Sequence, residues 1–293
     1  MTEPKILHFD TLNGVEFYDE AYSNRGFLTG QTTNSGHCYN TKLNIARPLQ
    51  NVKRIELNSI EFPFTTNNIR ASNRSNLLII SPTYQGIEYE IEVYLKQKNY
   101  TAIADLLTEL NNSITIAIQA KGINGFTFSF SLNPLDLSKV IAKCNCDTAQ
   151  GGLLFGMCDI EKTILSEIIL GVAYEVNSNN DIFIGNTQTG VSTLVCSSNY
   201  NLQPDNFFSI VLKNINSGGS NNANGIIASS FKLPLACSYG EVMYYTSGNN
   251  FIQNLMIDNN QTINELHFTI KDRFGYDVYG DTHVSFTLTF YFK

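Results

Sequence analysis

Val284-Ser285-Phe286-Thr287-Leu288-Thr289-Phe290-Tyr291-Phe292 is the most regular stretch of the chain. Val284, Phe286, Leu288, Phe290 and Phe292 alternate with Ser285, Thr287, Thr289 and Tyr291. Successive side chains of a strand point to opposite faces, so a period of two puts every large apolar group on one side. One face is then buried and the other carries hydroxyls, as in an antiparallel strand laid over a core. At the end of the chain, such a strand can tuck into the middle of a sheet.

The same period recurs upstream. Phe126, Phe128, Phe130 and Leu132 alternate with Thr127, Ser129 and Ser131, and Phe208, Ile210 and Leu212 repeat it. Over 87–95, Ile87, Tyr89, Ile91, Val93 and Leu95 share one face and Glu88, Glu90 and Glu92 take the other. Leu43 and Ile45 precede Pro48. Beyond it Ile55 and Leu57 alternate, and the phase slips before Ile60 and Phe62. A one-residue slip predicts a bulge or a bend between sheets. Weaker strands are expected at 182–184 and 191–195.

One helix is expected. Ile103, Leu106, Leu107 and Leu110 fall at helical spacing, Thr101 can cap the first turn and Asn111-Asn112 would stop it. Residues 159–170 fit a helix ending at Gly171, through Ile160, Ile164 and Ile168, or a β-branched strand. Ser217-Gly218-Gly219-Ser220-Asn221-Asn222 reads as an exposed loop. No internal repeat points to a propeller or solenoid. Many strands with one helix predict an all-β, two-sheet antiparallel sandwich with one short helix.

The organisation that follows is an N-terminal arm over 1–35 and a sandwich domain over 36–293, with an insertion or elaborated loops within 133–205. The arm carries Phe9, Phe17, Tyr18, Tyr22 and Phe27 amid Gly, Asn and Thr. It reads equally as an extended arm with aromatic anchors and as a first strand and loop packed on its own domain.

Composition supports strands. The 293 residues include 19 Phe, 15 Tyr and no Trp, with 43% hydrophobic and 15% charged residues. This length can bury a core without disulfides or metals. The net charge of −7 comes without any basic run, so the electrostatic footprint of nucleic-acid binding is missing. Met1-Thr2-Glu3-Pro4-Lys5 lacks the layout of a signal peptide, and no apolar run reaches a membrane span. The six cysteines, Cys38, Cys144, Cys146, Cys158, Cys196 and Cys237, are therefore expected to be reduced.

No constellation of catalytic weight is found. There is no phosphate-binding glycine loop, His-Glu-x-x-His or nucleophile elbow. His8, His37, His267 and His283 lack recognisable partners by spacing. Cys144-Asn145-Cys146 with Cys158 is not a zinc-knuckle spacing. Asp272-Arg273-Phe274-Gly275-Tyr276-Asp277 reads as a turn kept wet by its carboxylates rather than a cation or sugar site. Sequons occur at Asn73, Asn99 and Asn111. The glutamate stripe reads as a solvated face. No catalytic residue, cofactor-binding residue or metal ligand is assigned, and no cofactor is expected.

Several stretches, in order, resemble the penton-type single jelly-roll capsid proteins of virophages and large nucleocytoplasmic DNA viruses. They are Tyr39-Asn40-x-x-Leu43-x-Ile45 with Pro48-Leu49-x-Asn51-Val52-x-x-Ile55-Glu56-Leu57-x-Ser59-x-Glu61-Phe62-Pro63; Lys98-Asn99-Tyr100-Thr101 leading to Leu110-Asn111; Phe208-x-Ile210-x-Leu212-x-Asn214-Ile215; Phe231-x-Leu233-Pro234-Leu235; and Leu266-x-Phe268-x-Ile270-x-Asp272-x-Phe274-Gly275 with the terminal strand. The resemblance spans 39–293, with 133–205 poorly matched. It implies a jelly-roll virion protein, assembled in the host-cell cytoplasm. It also implies a homopentamer at each icosahedral vertex, in contact with a double jelly-roll major capsid protein. It carries no catalytic residue, and a host receptor has no residue behind it. Alternatives are a minor capsid or cement protein, and a jelly-roll lectin-like or C1q/TNF-like ligand-binding module.

Overall fold

The structure, a computed structural model, describes residues 3–10, 15–16, 37–38, 40–84, 87–146, 157–173, 181–185, 191–215, 229–246, 253–280 and 284–293. The chain divides into two compact units: Met1–Thr66 with Asp205–Lys293, and Asn67–Pro204. The second takes in the 133–205 segment up to Pro204, in which the sequence allowed an insertion, and also the chain from Asn67 onward. The described residues form an all-β, antiparallel, jelly-roll-like arrangement with one α-helix.

The first unit is built on β1 (Lys5–Asp10), β2 (Val15–Glu16), β4 (Asn40–Pro63), β13 (Phe207–Leu212), β14 (Ser229–Pro234), β15 (Val242–Thr246), β16 (Gln253–Lys271) and β18 (Ser285–Phe292). They form an eight-stranded sheet in the order β1-β18-β4-β16-β13-β14, with β15 and β2 also paired to β4. A small separate pair joins β3 (His37–Cys38) and β17 (Tyr279–Gly280). The C-terminal strand does tuck inside the sheet, between β1 and β4. Phe286, Leu288 and Phe290 are buried. Phe292 is only half-buried, because the ladder slips between Tyr291 and Phe292.

The phase slip read from the sequence is a bulge at Asn58. Leu288 pairs with Leu57 and Thr287 with Ser59, so Asn58 is the extra residue, and its side-chain amide donates to Thr289 Oγ1 at 2.7 Å. Leu57 and Ile60 can then both point inward, with exposures of 0% and 1%. Pro48 does not split β4 in two. The pairing with β16 skips from Asn44 to Leu49, and the strand resumes beyond a stretch holding Arg47 and Pro48, both exposed. A proline has no N–H to give a ladder, so it sits where pairing lapses.

Two layers arise here from one sheet. Phe268 on β16 pairs with Thr41, and Phe286 on β18 pairs with Ile60. On a straight strand those two β4 positions would lie roughly 60 Å apart, at about 3.3 Å per residue. Yet the Phe268 and Phe286 rings meet edge-to-face with centroids 4.9 Å apart. The sheet must therefore fold back over its own apolar face, with β4 and β16 running through the bend. Phe62 against Phe208, at 5.4 Å, closes the layers elsewhere. The expected two-layer antiparallel sandwich is present in the first unit, with its layers continuous through one folded sheet.

The second unit holds a five-stranded sheet of β5 (Leu77–Tyr84), β6 (Ile87–Glu88), β7 (Ile91–Tyr94), β10 (Met157–Glu161) and β11 (Asp181–Gly185). A three-stranded sheet of β8 (Phe126–Asn133), β9 (Asp136–Cys146) and β12 (Val191–Val195) accompanies it, with helix α1 (Ile103–Ala120). Helix and sheets share one core that includes Leu106, Leu110, Ile114, Phe128, Phe130 and Ile160. The glutamate-striped segment is half as expected. Ile91, Val93 and Leu95 are buried, but Ile87 is 55% exposed on its two-residue strand β6, paired to β5.

The helix corrects the sequence expectation at both ends. Ala102 is the N-cap, without a side-chain hydrogen bond, and Thr101 is exposed. The helix runs through Asn111-Asn112, because Ile114 and Ile118 continue the buried stripe. Asn111 also finds partners outside the helix, its amide donating to Phe130 O at 2.8 Å while its Oδ1 accepts from Phe130 N at 2.7 Å. It ends at Gly122, whose φ of 72° gives the left-handed exit that glycine tolerates. Residues 159–170 are both things the sequence allowed: the end of β10, then a single π-helical turn, Ile164–Ile169. Thr163 and Ser166 cap that turn reciprocally, and Gly171 ends it at φ 80°.

Candidate interaction surfaces

Among the described residues, those weighed for chemistry lie in structural roles or on solvated faces. Asp272 is 3% exposed, and its Oδ1 accepts from the backbone N–H groups of Phe274 and Tyr276, each at 2.9 Å. Asp277 accepts from Thr269 Oγ1 and pairs with Lys271 Nζ, both at 3.0 Å. Both carboxylates are buried and tie the turn together, which corrects the expectation that they keep it wet. Gly275, at φ 88°, supplies its left-handed corner.

Cys144, Cys158, Cys196 and Cys237 are free thiols, the first three buried. Burial pushes the Cys196 thiol up to about 11, so it is a poor nucleophile. Among the described residues, no group of three or more His, Cys, Asp or Glu is arranged to hold a metal ion. The side chains of Cys38, Cys146 and His37, and all of His283, lie outside the described residues. Asn73 is 0% exposed and Asn111 is engaged at both ends of its amide, so neither sequon is open in the folded chain.

His267 faces outward on β16, opposite Lys42 on β4, and its carbonyl accepts from Lys213 N at 2.7 Å. Lys42 pairs with Glu265 at 3.2 Å. Partial burial first, then the charges of Lys213 and Lys42, hold the imidazole below its ordinary range; Glu265 opposes this. A histidine with a depressed folded pKa favours the neutral form in the fold. Its contribution is complete above the unfolded value, near pH 6.5, and is lost as pH falls through that value toward the folded one. Stability is therefore expected to drop as pH falls below about 6.5. Denaturant midpoints should fall less over that window in His267→Gln. Equal slopes for the two proteins would remove the effect.

The polar side of the folded sheet forms the most distinctive surface. Across β15, β4, β18 and β1, one row reads Tyr244, Glu61, Ser285, Asp10, and the next Thr246, Ser59, Thr287, His8. His8 Nδ1 lies 3.1 Å from Thr287 Oγ1. A shallow depression is lined by His8, Ser59, Glu61, Tyr244 and Ser285. Past the Asn58 bulge the face continues with Arg54, Glu56 and Tyr291. Tyr291 OH donates to Glu56 Oε2 at 2.9 Å, and the Arg54 guanidinium stacks 3.7 Å above the Tyr291 ring. Ile6, Tyr244 and Met256 stand on this face with exposures of 65%, 68% and 53%. Exposed Tyr, Met and Arg among short polar side chains is the composition of a protein contact.

The second unit presents a different feature. The β8–β9 turn holds Leu135 at 94% exposure, and Leu137 at the start of β9 is 66% exposed. Asn133 Oδ1 accepts from Leu135 N at 3.0 Å, and Asp136 Oδ1 accepts from Ser138 N at 3.1 Å and Ser138 Oγ at 2.6 Å. These side-chain bonds fix the tip. The exposures of Ile6 and Tyr244 escape a reading of the sequence, because an apolar residue in a strand reads as core by default.

No protein-family model matches this chain, and no curated protein matches it in sequence. Among solved structures it is similar to the crystal structure of a selenomethionine-labelled mavirus penton protein, with 10% identity, a TM-score of 0.43, and 99% of each chain covered. No helix among the described residues is long and apolar enough to cross a membrane.

Proposed function

We propose that this chain is a structural capsid protein: a homopentameric penton that closes icosahedral five-fold vertices and contacts a double jelly-roll major capsid protein. One observation carries the reading. Of the penton-like stretches, those within 39–63, 208–215, 231–235, 266–275 and 284–292 supply much of one folded antiparallel sandwich, while Lys98–Asn111 belongs to the second unit. Fold alone does not assign function. The outer face of β15, β4, β18 and β1 adds a surface suited to a neighbouring subunit. A five-fold ring joins unlike faces of successive copies, so this face would meet a different face of the next copy.

The role is carried out in the virion, after assembly in the host-cell cytoplasm. It needs no catalytic residue and no cofactor, and the net charge of −7 gives no grip on nucleic acid.

Light scattering on a sizing column tests the reading. Five copies of the 32.7 kDa chain are expected at high protein concentration. A stable trimer would overturn it in favour of a C1q/TNF-like module. A persistent monomer that neither closes into rings nor binds major capsid protein would favour a cement protein or a lectin-like module. Ile6→Glu with Tyr244→Glu should abolish ring closure while changing the stability of the single chain by no more than about 0.5 kcal/mol each. Intact rings in that variant would place the contact on another face.

A further inference from the structure

We propose that Asn124-Gly125 is a site of spontaneous backbone modification in the folded protein, at which the asparagine converts to isoaspartate. The pair forms the turn between α1 and β8. Asn124 is exposed, while Ile123 and Phe126 on either side are 2% and 3% exposed. Gly125 has φ of 82° and no Cβ, so nothing of its own side chain shields its peptide nitrogen from the neighbouring amide.

Three asparagines of the same unit are held by their amides. Asn68 donates to Tyr100 O and Leu202 O and accepts from Tyr100 N. Asn111 grips Phe130 at both ends of its amide. Asn133 accepts from Leu135 N and precedes Pro134, whose nitrogen carries no hydrogen to lose. Among the described residues, no group bonds to the Asn124 amide.

The step balances without any oxidant or co-reactant beyond water. The Gly125 peptide nitrogen loses its proton to solvent base and attacks Asn124 Cγ. The new C–N bond closes a five-membered succinimide as the C–NH2 bond breaks, and ammonia leaves. Water then opens the ring at either carbonyl. Opening at the main-chain carbonyl gives isoaspartate, and opening at Cγ gives aspartate. Either product adds a carboxylate. Isoaspartate also routes the backbone through one more methylene, in a turn whose two flanking residues are fixed in the core.

The test uses the full chain, aged in warm, mildly alkaline buffer, with a urea-unfolded sample alongside. Peptide mapping by mass spectrometry reads the exchange of NH2 for OH at Asn124. Isoaspartyl methyltransferase with labelled S-adenosylmethionine reads the isoaspartate. Conversion in the folded chain is expected to run within about tenfold of the unfolded rate. Asn124→Gln should lose the label at this peptide, because its longer side chain would have to close a six-membered ring. A folded rate slower by more than about tenfold, or label confined to the Asn-Gly pairs at Asn13 and Asn224, overturns the proposal.

Discussion

Phe286→Ala is expected to destabilise the sandwich of the first unit by about 3–5 kcal/mol, read as a fall in denaturant midpoint. Phe286 is 1% exposed and sits where the folded sheet closes on itself. Its ring stacks on Phe9 at 5.4 Å and meets Phe268 edge-on at 4.9 Å, so truncation empties a cavity walled by three strands. Aromatic pairs contribute about 0.5–1.5 kcal/mol beyond area burial, which places this site near the top of the range. The edge strand β1 would lose its main anchor, and its amides should exchange faster along with those of β18. Phe286→Leu, which keeps most of the volume, should cost about 1–2 kcal/mol. A loss below about 1 kcal/mol for the alanine variant would mean the two layers are not closed through this ring.

Gly171→Ala is expected to cost on the order of 4 kcal/mol in the second unit, an exceptional figure for adding one methyl group. Gly171 has φ 80°, where an L-residue is disfavoured by about 1–2 kcal/mol. Packing adds the larger part. An added Cβ would stand 2.9 Å from the Ser198 carbonyl carbon and closer still to its oxygen, and 3.1 Å from Asn199 O. These are backbone atoms, and Ser198 is tied to Gly171 by its own N–H at 3.1 Å, so the methyl cannot be relieved by a side-chain rotation. The π-helical turn that delivers Leu165, Ile169 and Leu170 to the core should move with it. Amide exchange across 164–172 would report the change. Near-wild-type protection there would show that the loop at Ser198 yields cheaply.

The place of β1 also alters what removing the N-terminal residues would do. If 1–35 were only an arm, deleting residues 1–30 would leave the domain folded and weaken assembly alone. But Lys5–Asp10 pairs with β18 along its whole length, and Phe9 is 7% exposed in the core. Such a deletion uncovers Phe286 and confounds folding with assembly. Surface changes at Ile6 and Tyr244 separate the two.

Much of this is legible in the sequence because alternation is a local signal. The runs at 126–132, 208–212 and 284–290 bury the phase that their pattern favours, and the slip between Leu57 and Ile60 is the bulge at Asn58. A one-residue shift would turn every large side chain to solvent, so the pattern must match the register wherever one face is covered. The helical stripe at Ile103–Leu110 is legible for the same reason.

What escapes is whatever depends on a distant partner. Asn111-Asn112 looks like a helix stop until Phe130 offers both its N–H and its carbonyl. Asp272 and Asp277 look like wet turn residues until backbone donors and Lys271 surround them. Ile87 and Val93 cannot be told apart by period. They share one phase, yet Ile87 is 55% exposed and Val93 1% exposed, because only Val93 has a core over it. Most described strands, the inward face of the longer runs, the bulge and the presence of a helix follow from residue order, since each is set by neighbours within a few residues. That one sheet folds over to make both layers, and which apolar side chains stay in water, is settled by tertiary contacts. Both turn on meetings such as that of Phe268 with Phe286, whose partners lie far apart along β4.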